Sequence, residues 1–327
     1  MTAISKSLAP GSTDQHLRPF DVRRDLGAVA DLVGLCFADT LDPDGRDYLE
    51  RMRSASRNPS FWGWATAAVD WAGAPLTGYV WQQDDRIVGN VSLIPYILQG
   101  RRYFLIANVA THPDYRRQGI ARRLTERAVE HARKHAAPAA WLHVREENEG
   151  AVQLYRSLGF VEQAARTTWL SQPDFTAGET PPGRRIGSLG RQHWAIFKPW
   201  LQRSYPPELA WHMPFRIDNL RPGFFGGVFR LLYNTYLEQW GIMQGERLLG
   251  AASWQSTRAH ANALWLAAPL DGDEGAVQAL LVHARRHAPS QRPLMLDYPA
   301  RQYAEAIQGA GFRAQQTLVW MELKLRE

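Results

Sequence analysis

Eleven consecutive residues, His112-Pro113-Asp114-Tyr115-Arg116-Arg117-Gln118-Gly119-Ile120-Ala121-Arg122, have the types and spacing of an anion cradle. The apolar run Phe104 to Ala110 reads as a buried strand, His-Pro-Asp breaks it, and Ile120, Leu124 and Ala128 then fall at helical spacing. A helix start presents unpaired backbone N–H groups and the positive end of the helix dipole, which together suit a pyrophosphate. Gly119 and Ala121 permit close approach, and Arg116, Arg117 and Arg122 add charge with a fork that matches phosphate oxygens.

Two patterns then carry a resemblance. Arg116-x-x-Gly119-x-Ala121 after a strand resembles the acyl-CoA pyrophosphate motif of the GNAT superfamily of acyl-CoA-dependent N-acyltransferases. Asn148-Glu149-Gly150-Ala151-Val152-Gln153-Leu154-Tyr155, leaving through Leu158-Gly159-Phe160, is similar to that family's second motif. The resemblance covers roughly residues 17 to 172.

It implies transfer of an acetyl or other short acyl group from acetyl-CoA, as cosubstrate, to an amine by direct attack in a ternary complex. The acceptor would be a small-molecule amine or a peptide N-terminus. By the same resemblance, backbone groups of Val109, Ala110 and Thr111 hold the pantetheine arm and acyl carbonyl. Arg117, Gln118, Gly119, Ile120, Ala121 and Arg122, with Arg116, take the pyrophosphate. Asn148 orients the cofactor and Tyr155 protonates the leaving thiolate. Relatives that act on protein N-termini often carry a Glu five residues before the motif Asn, where this chain has His143, an imidazole able to accept a proton at neutral pH. Asn108 is the lone polar side chain in the middle of its strand and needs a partner. It either bridges an irregularity in the sheet or touches substrate.

The elements that must position these groups are legible in outline. A strand over Leu17 to Val22 leads to a helix capped by Asp25 and carrying Leu26, Val29, Leu32, Val33 and Phe37. A second helix is expected from Gly45 to Ala55, with the aromatic cluster Phe61, Trp62, Trp64 and Trp71 beyond it. Tyr79–Gln83 and Ile87–Leu98 flank Asp84-Asp85 as a hairpin, and Gln99–Arg102 makes the next turn. The helix from Gly119 runs to about His135, Ala140–Arg145 forms a strand with His143 and Arg145 on one face, and a closing hairpin runs from Phe160 to about Leu170. Residues 173–185, rich in Pro, Gly and Thr, read as a linker.

Beyond the linker the chain echoes itself. Asp85–Ser92 returns as Glu246–Ser253, Leu158-Gly159-Phe160 as Ala310-Gly311-Phe312, and Pro113–Gly119 has the spacing of Pro269–Gly275. By that spacing Gly272, Asp273 and Glu274 replace Arg116, Arg117 and Gln118, while Ala300 and Ile307 replace Asn148 and Tyr155. Three carboxylates, of Asp271, Asp273 and Glu274, stand where the first half offers arginines. The expected fold is α/β, a mixed sheet in two tandem GNAT-like domains: a lead-in over 1–16, a catalytic domain over 17–172, the linker 173–185, and a degenerate domain over 186–327.

The whole chain bounds the rest. Its 327 residues suit two domains. A net charge of +6 comes from arginines scattered without a basic block or nucleic-acid motif, so no nucleic-acid partner is expected. No apolar run approaches the ~20 residues of a membrane span. Residues 1–16 lack a signal-peptide core, so a disordered lead-in and a cytoplasmic protein are the expectation. The single cysteine, Cys36, reads as packing. His131 and His135 lack a third ligand, so no metal is expected. The rival readings are an acyl-CoA-binding module without catalysis and a nucleic-acid binder.

Overall fold

The computed structural model describes residues 14–57, 77–173, 182–211, 213, 217–221, 236–289 and 292–326. The expected aromatic cluster Phe61, Trp62, Trp64 and Trp71, the lead-in before residue 14 and the linker residues 174–181 lie outside the described residues. Two compact units share the chain. One comprises Met1–His143, Leu154–Val161 and Glu322–Glu327, and the other Val144–Gln153 and Glu162–Met321.

In the first unit, β1 (Leu17–Pro19), β2 (Thr77–Gln83), β3 (Arg86–Leu98) and β4 (Arg101–Thr111) run antiparallel in that order, and β5 (Ala139–Arg145) adds parallel to β4. The β2–β3 turn places both Asp84 and Asp85 at positive φ, 49° and 59°, the geometry that two-residue hairpins favour. Helices α1 (Val22–Cys36) and α2 (Pro43–Ser56) bury Leu26, Val29, Val33, Leu49 and Met52 with Val80 and Ala110 of the sheet. Helix α3 (Ile120–Lys134) covers the opposite face. There Gly89 is required, because a Cβ would stand 2.7 Å from Ile120 Cγ2 and 2.9 Å from Leu124 Cδ1.

Three local expectations are corrected. The N-cap of α1 is Asp21, whose side chain accepts from Arg23 N, and not Asp25. Asp25 lies within the first turn and is buried, taking two hydrogen bonds from Arg18 at 2.6 and 2.9 Å and one from Asp21 N at 2.8 Å. Helix α2 begins at Pro43, capped by Asp42. A first-turn proline lacks only an N–H that has no intrahelical partner anyway. The closing segment is one strand, β6 (Val161–Ser171), rather than a hairpin, and it pairs antiparallel with β11 (Leu294–Pro299) in the second unit.

The second unit takes helix α4 (Glu149–Ser157) only as far as Gln153, the rest of that helix belonging to the first. It then holds β7 (Arg185–Ser188), α5 (Trp194–Ser204), the short α6 (Pro207–Ala210), β8 (Leu237–Gln244), β9 (Arg247–Gln255), β10 (Asn262–Ala267), α7 (Glu274–His287), β11, α8 (Ala304–Gly309) and β12 (Phe312–Lys324). Its strand order is β12-β6-β11-β10-β9-β8-β7. The expected repeat is visible in detail. Hairpin β8–β9 repeats β2–β3, including a register shift between Ile242 and Met243 where the first has one between Trp81 and Gln82. A further echo is His131-Ala132-Arg133-Lys134-His135 against His283-Ala284-Arg285-Arg286-His287. In both copies the rings stack, at 4.1 and 3.9 Å, and the second Nδ1 bonds the carbonyl of the first histidine at 2.9 Å. His131 Nδ1 also lies 3.0 Å from Tyr79 Oη, so these histidines are occupied in packing. Among the described residues no helix is long and apolar enough to cross a membrane.

Candidate active site

Strand β4 ends at Thr111, and the chain turns through His112, whose Nδ1 accepts from Asp114 N at 3.3 Å, and a single 3-10 turn, Pro113–Tyr115. Arg117 and Gly119 both take positive φ, 64° and 79°. The first hydrogen bond of α3 runs from Arg123 N to Gly119 O at 3.1 Å, so the amides of Ile120, Ala121 and Arg122 have no carbonyl within the helix. Gly119 supplies no cap and the first turn holds no acidic residue. A Cβ on Gly119 would meet nothing within 4 Å, so the backbone angle demands the glycine while the space above it is open. Arg116, Arg117 and Gln118 are exposed. Arg122 is held over the site by Ser157 Oγ at 2.6 Å, at the end of α4. The start of α3 is thus uncapped, with Arg116 and Arg117 exposed just before it and Arg122 in its first turn.

Beside it, β4 and β5 part. Their parallel rungs run from Phe104 with Ala140 to Ile106 with Leu142. Asn108 and His143 come just beyond the last rung, on the two separating strands. The β3–β4 ladder slips at the same level. Asn90 faces Ala110 and Ser92 faces Ala107, so Asn108 and Val109 stand opposite Val91 alone. Asn108 takes φ 50°, its carbonyl accepts from Asn90 Nδ2 at 2.9 Å, and its own amide reaches Ser92 Oγ at 3.4 Å. Asn90 is 1% exposed and Ser92 4%. Neither is among the residues expected at the site, although Asn-x-Ser inside an apolar strand is their signal.

Thr111 O accepts from Cys36 Sγ at 3.3 Å and from Arg116 Nε at 3.5 Å, while Thr111 Oγ1 is buried without a hydrogen-bond partner among the described residues. Burial pushes the Cys36 thiol up, against the pull of the Arg116 guanidinium. His143 is exposed. Asn148 caps α4, its Oδ1 accepting from Ala151 N at 3.2 Å. Tyr155 is buried in α4 with its ring edge-to-face on Phe160, and that burial pushes its phenol up to about 12.

The matching surface of the second unit is filled. Rungs between β10 and β11 run from Asn262 with Leu294 to Ala263 with Met295. Past them Leu266 N donates to Tyr205 Oη at 3.1 Å, and the Tyr205 ring meets Trp265 of β10 and Tyr298 of β11 at 4.9 and 6.3 Å. Ala268 O accepts from Arg203 Nη2 at 2.7 Å. Tyr303 Oη accepts from Gly272 N at 2.8 Å and donates to Pro269 O. Asp273 caps α7 through Ala276 N at 2.8 Å and pairs with Arg184. So α7 opens on a carboxylate where α3 opens on Gly119.

Residues 41–160 match the model of the Acetyltransferase (GNAT) family. Over 67 residues, 20% of this chain and 45% of the relative, the sequence is 40% identical to a ribosomal protein bS18-alanine N-acetyltransferase of Escherichia coli. Over 161 residues, 48% of each chain, it is 31% identical to a mycothiol acetyltransferase of Thermomonospora curvata. The chain therefore spans less than half the length of these curated relatives. Among solved structures, a GCN5-related N-acetyltransferase from Sphaerobacter thermophilus shares the fold at TM-score 0.57 and 17% identity, over 96% of this chain and 97% of that one. A tandem GNAT protein from the clavulanic acid biosynthesis pathway does so at TM-score 0.52 and 17% identity, over 95% and 98%. Residues 41–160 thus match the acetyltransferase (GNAT) family in sequence, and the chain shares the fold of solved tandem GNAT proteins.

Proposed function

We propose that the first unit binds acetyl-CoA and moves the acyl group to an amine. The observation that carries this reading is the juxtaposition of an uncapped, arginine-ringed helix start with two strands that part beside it. The pyrophosphate is assigned to Arg116, Arg117, Gln118 and Arg122 and to the backbone of Gly119, Ile120 and Ala121. The pantetheine arm and acyl carbonyl are assigned to the backbone of Val109, Ala110 and Thr111. The orphaned Thr111 Oγ1 supports a ligand at that strand. Asn148 keeps the cofactor-orienting role that the resemblance gives it, alongside its cap.

In the proposed reaction the amine nitrogen attacks the thioester carbon, and backbone N–H groups of β4 steady the oxyanion. The nitrogen loses its proton to His143, directly or through water, and the C–S bond breaks as Tyr155 protonates the departing sulfur. The phenol suits that task because burial keeps it protonated at neutral pH. One relative is named for an alanine of ribosomal protein bS18 and the other for mycothiol, so the reading is held at an amine acceptor. The second unit is read as binding no acyl-CoA, because Tyr205, Arg203 and Tyr303 already occupy the backbone groups that a cofactor would use.

Thiol release from acetyl-CoA across a panel of small amines and peptide N-termini tests the reading. Turnover with at least one class is expected, together with calorimetric binding that Gly119→Glu abolishes by adding bulk and negative charge over the cradle. Binding without thiol release from any amine would leave a carrier module, and undiminished binding by Gly119→Glu would move the cradle elsewhere.

A further inference from the structure

The two halves of this chain differ at one buried position in a way that isolates what it does. In the repeated hairpin, Asp85–Ser92 and Glu246–Ser253 correspond, so Ala251 stands where the first unit has Asn90, and Ser253 keeps the place of Ser92. In the second unit the β9–β10 ladder is unbroken from Gln255 with Ala263 to Ala251 with Ala267, and no residue of β10 has positive φ. In the first unit the ladder slips at Asn90, and Asn108 is driven to φ 50°. The bulge accompanies the asparagine. It is present in the half whose strand edge faces a parted sheet and absent in the half whose edge is filled by Tyr205.

An asparagine tolerates the left-handed conformation better than most residues, yet it still costs energy and needs something to hold it. Here the holder is Asn90. Its Nδ2 donates to Asn108 O at 2.9 Å and reaches Ser92 Oγ at 3.3 Å, and it is 1% exposed, so water does not compete for the bond. A bulge re-aims the strand that follows it. The strand that follows is Val109–Thr111, whose backbone is assigned to the acyl carbonyl and pantetheine arm.

We propose that Asn90 is a positioning residue for acyl transfer: it clamps the Asn108 bulge and thereby sets the β4 backbone against the thioester carbonyl. The inference rests on the function proposed above. Asn90 does not touch substrate and acts through the backbone of Asn108 and Val109.

The test uses the full chain and acetyl-CoA carrying 13C at the thioester carbonyl. In the parent, binding is expected to shift the carbonyl stretch as the backbone polarises it. Asn90→Ala is expected to lose most of that shift and to lower kcat about 10- to 100-fold, as displacement of a reacting group by a fraction of an ångström does. Its affinity for acetyl-CoA should stay within about threefold, because the pyrophosphate cradle is untouched. Adding Asn108→Gly to Asn90→Ala should restore part of both, since glycine takes positive φ without a clamp. A carbonyl stretch and kcat unchanged in Asn90→Ala would overturn the proposal. So would losses in the single variant that the added glycine does not relieve. If the parent binds and shifts the carbonyl but turns over no amine, the transfer reading fails, and loss of the shift in Asn90→Ala still shows that Asn90 sets the β4 backbone against the thioester.

Discussion

A phenol is a useful acid for a thiolate only while it keeps its proton. Burial against Phe160 and the body of α4 pushes Tyr155 up to about 12, so neutral pH leaves it fully protonated. Tyr155→Phe is expected to lower turnover about 100-fold or more while acetyl-CoA affinity changes little. A phenolate absorbance titration should assign to it a component near pH 12, absent from the variant. His143→Gln should remove the acid-side ionisation from the pH profile of the parent's turnover. An identical acid limb in parent and variant would assign the base elsewhere. Both residues were legible in the sequence because a short motif sets their spacing. Asn90 was not, because its partner lies 18 residues away and only strand pairing brings the two together. The two candidate caps of α1 were likewise indistinguishable by type. Arg18 separates them by drawing Asp25 into an ion pair and leaving the cap to Asp21.

At the scale of elements, that ion pair pins α1 to β1. Burial alone would raise the Asp25 carboxyl, but hydrogen bonds from Arg18, the Asp21 amide and Arg24 outweigh it and hold it below the usual carboxylate range. A depressed folded pKa means that the stabilisation is complete above the unfolded value near 3.8 and is lost as pH falls through the folded one. Asp25→Ala leaves Arg18 facing a gap and should destabilise the first unit by about 3 kcal/mol at pH 7, read from denaturant unfolding. The difference between parent and variant should shrink as pH falls below 3.8 and through the lower folded value. A difference that persists unchanged into acid would mean packing rather than charge holds the helix. Helices and hairpins of the first half were readable because capping residues, Asp-Asp turns and apolar periodicity are local signals. The span of β6 reads in sequence as a closing hairpin, since its true partner, β11, lies more than a hundred residues on and no local signal announces it.

At the scale of the molecule, two halves share a scaffold and differ in what fills it. Titration of the full chain with a non-hydrolysable acetyl-CoA analogue should give one site per chain. Tyr205→Phe should leave that number at one and destabilise the second unit by about 1–3 kcal/mol, because Leu266 N–H, wholly buried, loses its acceptor. A second site in the parent would show that the tyrosines are displaceable lids. The carboxylates of Asp271, Asp273 and Glu274 were visible in the sequence. The tyrosines were not, since Tyr205 comes from a segment that no repeat aligns with the cofactor edge, and Tyr303 stands by the same spacing where the first half has Ala151, with no local sign that its hydroxyl reaches back to Gly272.

The path of the chain between its units bears on how the protein is made. The first unit takes residues 322–327 and gives up 144–153, and Leu325 N donates to Pro138 O at 2.8 Å. About 160 residues separate Val161 from Glu322. At roughly 5–20 residues per second, a ribosome delivers the last piece of the first unit some 10 to 30 s after the piece before it. The half that was begun first is therefore finished last, and it waits incomplete while the second is built. No single cut of the chain separates the two intact, so a chaperone would meet the nascent protein as one long folding task rather than two short ones.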